Sequence, residues 1–160
     1  MKKSSVWVAV VMTASLLTCS ACTKHDFPSC NDEQVKHIVL EKATEITKDL
    51  YLGHATPADL GLKQAKGAYG VLKERMEKKD EPRREEIRKL LASADAVITK
   101  MTVELTDIKQ TDRNEKSGTT ACTGTLTFTS KETKKESSAS IAFTAKFVEG
   151  HKLNVELTRF

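Results

Sequence analysis

The sequence predicts an α+β fold, about three N-terminal helices packed on a four-stranded antiparallel β-meander. Two observations carry this. Apolar residues recur at helical spacing up to about Ile98, and from there they alternate at every second position. Each alternating run has one apolar and one polar face, which is what a half-buried antiparallel sheet requires. Helices followed by such strands make a two-layer sandwich.

The first helix follows from Val35, Ile38, Val39, Ala43, Ile46 and Leu50, which share one face from Asp32 to about Leu50. Asn31 is its expected N-cap, with Gln34 three residues on as in a capping box. Leu52, Gly53, His54 and Ala55 are expected to break it, and Thr56-Pro57 reads as the N-cap and first position of a second helix. That helix would use Leu60, Ala65, Ala68, Val71, Leu72 and Met76 and end near Lys79. Gly61, Gly67 and Gly70 argue against its continuity, or for a face pressed closely on a neighbour. Asp80 and Pro82 open a third helix, with Ile87, Leu90, Leu91 and Ala94 turned inward.

Four strands follow. Met101, Val103 and Leu105 alternate with polar residues in the first, and Cys122, Gly124, Leu126 and Phe128 alternate with Thr123, Thr125, Thr127 and Thr129 in the second. Ile141, Phe143, Ala145 and Phe147 mark the third, and Leu153, Val155 and Leu157 the fourth. The threonines are good strand formers facing water, and the same flat face is also a conceivable docking surface.

The N-terminus is organised differently. Lys2 and Lys3 precede the apolar run from Val6 to Met12, which continues through Ala14, Leu16 and Leu17 to the small residues Ser20 and Ala21. A basic segment, an apolar segment and small residues before a cut describe a secretory signal. A helix over 6–21 would hold 16 residues, short of the roughly 20 that span a bilayer. With Cys22 directly after Ser20-Ala21, residues 1–22 resemble a bacterial lipoprotein signal peptide. The resemblance implies that 1–21 is removed, that Cys22 is acylated with diacylglycerol, and that 22–30 tethers the domain 31–160 to a membrane. The family usually has Leu three residues before the acylated Cys, and Cys19 stands there. Taking Cys19 as the acceptor restores Leu16 to that place but sets Thr18 beside the cut, so Cys22 fits better. Asp after the acylated Cys commonly marks inner-membrane retention in the family. Thr23 stands there instead, which implies the outer membrane of a Gram-negative-type envelope, facing the periplasm.

Removal of 1–21 leaves Cys22, Cys30 and Cys122, and acylation of the first leaves one pair in an oxidising compartment. Cys122 falls on the apolar face of the second strand and Cys30 just before the first helix. A Cys30–Cys122 disulfide would therefore staple that helix to the sheet. C-x-x-C at Cys19 and Cys22 lacks the second pair of ligands that zinc needs, so no metal is expected.

Cleavage lowers the formal net charge from +4 to +2. Neither that balance nor the alternating charges of residues 73–86 support nucleic-acid binding. Glu74/Lys78 and Glu85/Lys89 are spaced for ion pairs on solvated helix faces. His25, His37, His54 and His151 have no metal-binding spacing, and there is no serine elbow or phosphate loop. No enzyme and no cofactor is expected. Tyr51, Tyr69 and Phe160 are candidates to line a groove, the tyrosines being more at home in a core. Phe128, Phe143 and Phe147 are the candidates to line a ligand pocket between helices and sheet. The element order is similar to cystatin-like and nuclear-transport-factor-like layouts, which host many functions. The expected role is a non-catalytic binding or scaffold module for another envelope protein, with a small-ligand binder as the alternative.

Overall fold

A computed structural model of the chain describes residues 27–55 and 67–160. Among these residues three helices come first, α1 (Glu33–Ala55), α2 (Ala68–Glu77) and α3 (Arg84–Thr99). Four strands follow, β1 (Met101–Asn114), β2 (Thr119–Ser130), β3 (Glu136–Val148) and β4 (Lys152–Arg159), with a short 3₁₀ turn before the last. The strands pair antiparallel in sequence order, so β1 and β4 are the edges. The fold is α+β, as expected.

Several boundaries differ from those the sequence predicts. Asp32, not Asn31, accepts the N–H of Gln34 at 2.8 Å and so caps α1. The helix also runs on through Leu52 and His54 to Ala55, because Leu52 is fully buried against α2 and α3. Tertiary packing there outweighs the poor helix propensity of Gly53. Thr56-Pro57, Leu60, Gly61 and Ala65 lie outside the described residues. Gly67, at φ 78°, directly precedes α2, a left-handed conformation that glycine adopts without steric cost. Gly70 has open space around it, so no close helix approach explains it.

Helix α3 begins at Arg84 rather than at Asp80-Pro82, and Glu81 manages the junction. Its carboxylate accepts Nε–H and Nη2–H of Arg75, each at 3.0 Å, and the N–H of Arg83 at 3.2 Å. Arg75 holds the Glu81 carboxyl below the usual carboxylate range. Farther along, Glu85 pairs with Arg88 at 2.7 Å and Lys89 at 3.9 Å, on the solvated face where such pairs belong.

Among the described residues there are two cores rather than one. Val35, Val39 and Ala43 of α1 pack on Cys122, Leu126, Ile141, Phe143, Ala145 and Val155 of the sheet. Leu52 packs instead with Ala68, Leu72, Ile87 and Ala94 of α2 and α3. Only the first half of α1 therefore lies on the sheet's apolar face, and α2 and α3 cluster around its second half. Cys30 and Cys122 are disulfide-bonded, with Cα atoms 6.0 Å apart, and this bond fixes the start of α1 to β2.

Thr123, Thr125, Thr127 and Thr129 line the opposite, open face, where Thr127 shares a hydrogen bond with Ser138 at 3.1 Å. The inner face also carries a threonine. Thr120 is fully buried and its hydroxyl has no partner among the described residues, a cost of about 1–3 kcal/mol.

Strand β1 is longer and less regular than its apolar alternation suggests. Its pairing with β2 shifts register between Thr106 and Lys109 and again between Gln110 and Asp112, and Asp107 sits at φ 51°. The first irregularity folds over Gly124. A Cβ there would lie 2.9 Å from a Leu105 methyl and 3.3 Å from the Thr106 carbonyl oxygen. Leu105 can swing away, but the backbone carbonyl cannot without moving the bulge. Gly124→Val should therefore destabilise the domain by about 1–3 kcal/mol, read as a lower urea midpoint at unchanged slope; a midpoint equal to wild type would show that the bulge yields freely.

Candidate functional site

The apolar stripe of α1 is longer than the sheet that receives it. At 3.6 residues per turn, Val35, Val39, Ala43, Ile46 and Leu50 fall within about 80° of arc. The first three are fully buried, whereas Ile46 is half-buried and Leu50 is 56% exposed. The stripe continues past its cover, and a cleft of about 740 Å³ opens beside it. One wall is this helix, through Ile46, Asp49, Leu50, Gly53 and His54. The other is the end of β4, through Leu157, Thr158, Arg159 and Phe160, and Gly67 closes one side.

Each wall has a local cause. Residues 46, 49, 50, 53 and 54 are spaced to share one helix face. On β4, Phe143 pairs with Leu157 but Ala142 pairs with Arg159, so Thr158 is an extra residue in a β-bulge. A bulge bends the strand and re-aims its side chains, which brings successive residues of β4 to one cleft. Phe160 then packs edge-on against Phe128, with centroids 6.4 Å apart.

The polar groups at the helix wall tie the helices together. Asp49 accepts the N–H of Gly67 at 2.9 Å through Oδ2 and that of Tyr69 at 2.8 Å through Oδ1, capping α2 from α1. Behind it Tyr69 Oη donates to Asp95 at 2.7 Å, and Lys48 Nζ reaches the same carboxylate oxygen at 2.7 Å. The Lys48 ammonium also lies 4.3 Å from the centre of the Tyr69 ring, close enough for a cation–π contact.

Burial alone would drive the Lys48 ammonium down and the Asp95 carboxyl up. Hydrogen bonds outweigh it, from Asp95 and Tyr69 for the lysine and from Lys48 and Tyr69 for the aspartate. The lysine ends above its ordinary value and the aspartate below. Burial, then Asp95, pushes the Tyr69 phenol up. Each group is driven deeper into the protonation state it already holds near neutrality. General acid–base chemistry needs the opposite, values drawn toward the working pH. The cluster is a clasp across three helices.

The site residues expected from the sequence fall in different places. Phe143 is buried in the sheet core, Phe128 is half-buried beside it, and Phe147 is 37% exposed at the opposite end of the sheet against His151. None of the three lines the cleft. Phe160 does, whereas Tyr51 and Tyr69 belong to the helical core. His54 lies in the last turn of α1 and lines the cleft, a role its sequence context does not suggest. Lys48, Asp49 and Asp95 carry no sequence signal either, since nothing local marks them as partners of residues 18 to 47 positions away. Cys22 and Cys19 lie outside the described residues. Among the described residues no three His, Cys, Asp or Glu side chains cluster to hold a metal ion, and no helix is long and apolar enough to cross a membrane. No family model, curated protein or solved structure matches the chain.

Asp49→Ala removes both cap acceptors and should cost about 0.5–2 kcal/mol, measured by chemical denaturation, with the α2 amides losing hydrogen-exchange protection first. Uniform loss of protection would mean that Asp49 supports the whole fold instead. The clasp also has a pH signature. Asp95 titrates lower folded than unfolded, so its contribution is present above the ordinary aspartate value of 3.8 and is lost as pH falls through the folded value. Lys48 and Tyr69 titrate higher folded, so theirs is present below their ordinary values of 10.5 and 10.0 and is lost at higher pH. Asp95→Asn should therefore flatten the acid limb of stability against pH in that window, and an unchanged limb would assign the acid sensitivity to Glu81 and other carboxylates.

Proposed function

We propose that this protein is a lipid-anchored, non-catalytic binding module of the bacterial cell envelope, working through the cleft between α1 and β4. The observation that carries the reading is the half-open, largely apolar cleft at the far end of the helix whose start the disulfide pins. The disulfide at Cys30 pins the chain's entry at the start of α1. Ile46 and Leu50 stand roughly 20–26 Å further along the helix axis. From an acylated Cys22, the five residue steps to Phe27 reach at most about 18 Å. In this reading the tether keeps the start of α1 near the bilayer, and the cleft lies further along the helix. Thr23 in place of Asp favours the outer membrane.

A half-open cleft suits a protein partner better than an enclosed small ligand, because pockets for small molecules normally bury most of their guest. Leu50 and Phe160, exposed at its mouth, are the kind of apolar and aromatic groups that anchor interfaces. The charge states locked by the Lys48–Tyr69–Asp95 clasp leave that cluster without a titrating group for catalysis.

The test is the intact mass of the protein extracted from membranes, before and after reduction. The expected mass is that of residues 22–160 with an acyl-modified Cys22, gaining about 2 Da when the disulfide is reduced. A chain retaining residues 1–21, or one cut before Cys22 but carrying no lipid, would remove the anchor from this reading.

A further inference from the structure

We propose that a second copy of this chain pairs with β4, edge to edge and antiparallel, about a two-fold axis at Asn154. β4 is an edge of the sheet, and among the described residues no strand pairs with its outer side. An edge strand leaves half of its N–H and C=O groups open to a chain that lies beside it. From Lys152 to Leu157 the register on β3 is unbroken, so the edge is regular over these residues. Charges on an edge normally deter pairing, and Lys152 and Glu156 stand exposed on this one. Their order, however, is self-complementary.

An antiparallel strand centred on Asn154 sets Lys152 of each copy opposite Glu156 of the other. Glu156 accepts the Asn154 side-chain amide at 3.3 Å, and among the described residues neither it nor Lys152 has an ion-pair partner. On the inner face, half-buried Leu153 at the margin of the core comes opposite Val155 of the second copy. The apolar row of the sheet thus continues across the axis. Moving the centre to Leu153 or Val155 leaves both charges opposite neutral residues. A parallel pairing in equal register sets lysine against lysine and glutamate against glutamate. Unlike charges directly opposite each other stabilise a sheet and like charges destabilise it, so charge selects the antiparallel register at Asn154.

The pairing spans residues 152–156 of each copy. It stops before the bulge at Thr158 and leaves the cleft residues 157–160 outside, so edge and cleft are separate surfaces. An axis perpendicular to the sheet joins two four-stranded sheets into one and keeps both helix layers on the same side. Both chain entries at Cys30 lie on that side too, so two anchored copies can share one membrane. One strand from each copy is a small interface, of the size of transient complexes. Confinement to a bilayer raises the effective concentration that such a contact needs.

The experiment follows the mass of the mature protein by sedimentation equilibrium, in detergent if acylated and in buffer if not. Wild type should pass from monomer to dimer as concentration rises, with amides of residues 152–156 gaining hydrogen-exchange protection alongside. Lys152→Glu and Glu156→Lys should each weaken the dimer by at least about tenfold, because the axis turns one substitution into two like-charge contacts. Both positions are exposed, so the thermal midpoint of the monomer should hold. The two substitutions together should restore the dimer. Oxidation reads the register, with wild type as the control for native thiols. Asn154→Cys should cross-link to itself, since directly opposite Cα atoms lie about 4.5–5.5 Å apart. Lys152→Cys should cross-link only when mixed with Glu156→Cys.

A monomer at every concentration up to about 1 mM overturns the pairing, as do dimers indifferent to both charge reversals. Self-cross-linking of Lys152→Cys, or protection confined to β1, places the contact elsewhere and overturns it too. The two readings fail separately: an acylated monomer overturns only the pairing, and an unacylated chain that forms the charge-dependent dimer overturns only the anchor.

Discussion

The structure depends on one helix burying two different sides. Along its first half α1 presents Val35, Val39 and Ala43 to the sheet; near its end it presents Leu52, from another side, to α2 and α3. No other element contributes fully buried side chains to both cores among the described residues. If α1 shifts, the sheet loses its cover and the helical cluster its centre. The disulfide acts at the point where that shift is most easily stopped. It joins residues 92 positions apart, a closure worth about 4–5 kcal/mol in chain-entropy terms. That constraint fixes the helix start against β2, and the register of the stripe on the sheet follows from it.

How much of this is legible in the sequence depends on the range of the interaction involved. The strands declare themselves through period-2 alternation, and the disulfide through cysteine parity and the face on which Cys122 sits. Each is a property of residues read in order. The division into two cores is not legible, because the stripe of α1 looks the same whether a sheet or open space lies opposite. Ile46 and Leu50 are as apolar as Val35 and Val39, and only the extent of β4 decides which are covered. For the same reason Phe143 reads as a pocket residue and is none: alternation places it on the inner face without saying how tightly that face is filled. The Asp49 cap and the Lys48–Tyr69–Asp95 clasp are invisible because each joins helices through side chains distant in sequence, with no spacing rule to mark them.

The clasp explains why the cleft stays open. An uncovered apolar stripe invites collapse of the helix end onto the sheet, which would bury Leu50. Opposing this, Asp49 grips the N-terminus of α2 while Lys48 and Tyr69 share the Asp95 carboxylate on α3. These contacts leave from neighbouring residues of α1 and hold its second half to the helical cluster. Of Lys48, Asp49 and Asp95, only Asp49 also faces the cleft. The polar network thus supports the wall from behind, as a preformed binding surface requires.

The two edges of the sheet are treated differently. Natural proteins protect edge strands with bulges, charges and irregular backbone, because a regular edge recruits other strands. β1 has all three: two register breaks, a left-handed backbone at Asp107, and Lys109, Asp112 and Arg113 in its exposed second half. β4 has one bulge, placed at its end, and the exposed charges of Lys152, Glu156 and Arg159, and before the bulge an unbroken ladder carrying Leu153, Val155 and Leu157.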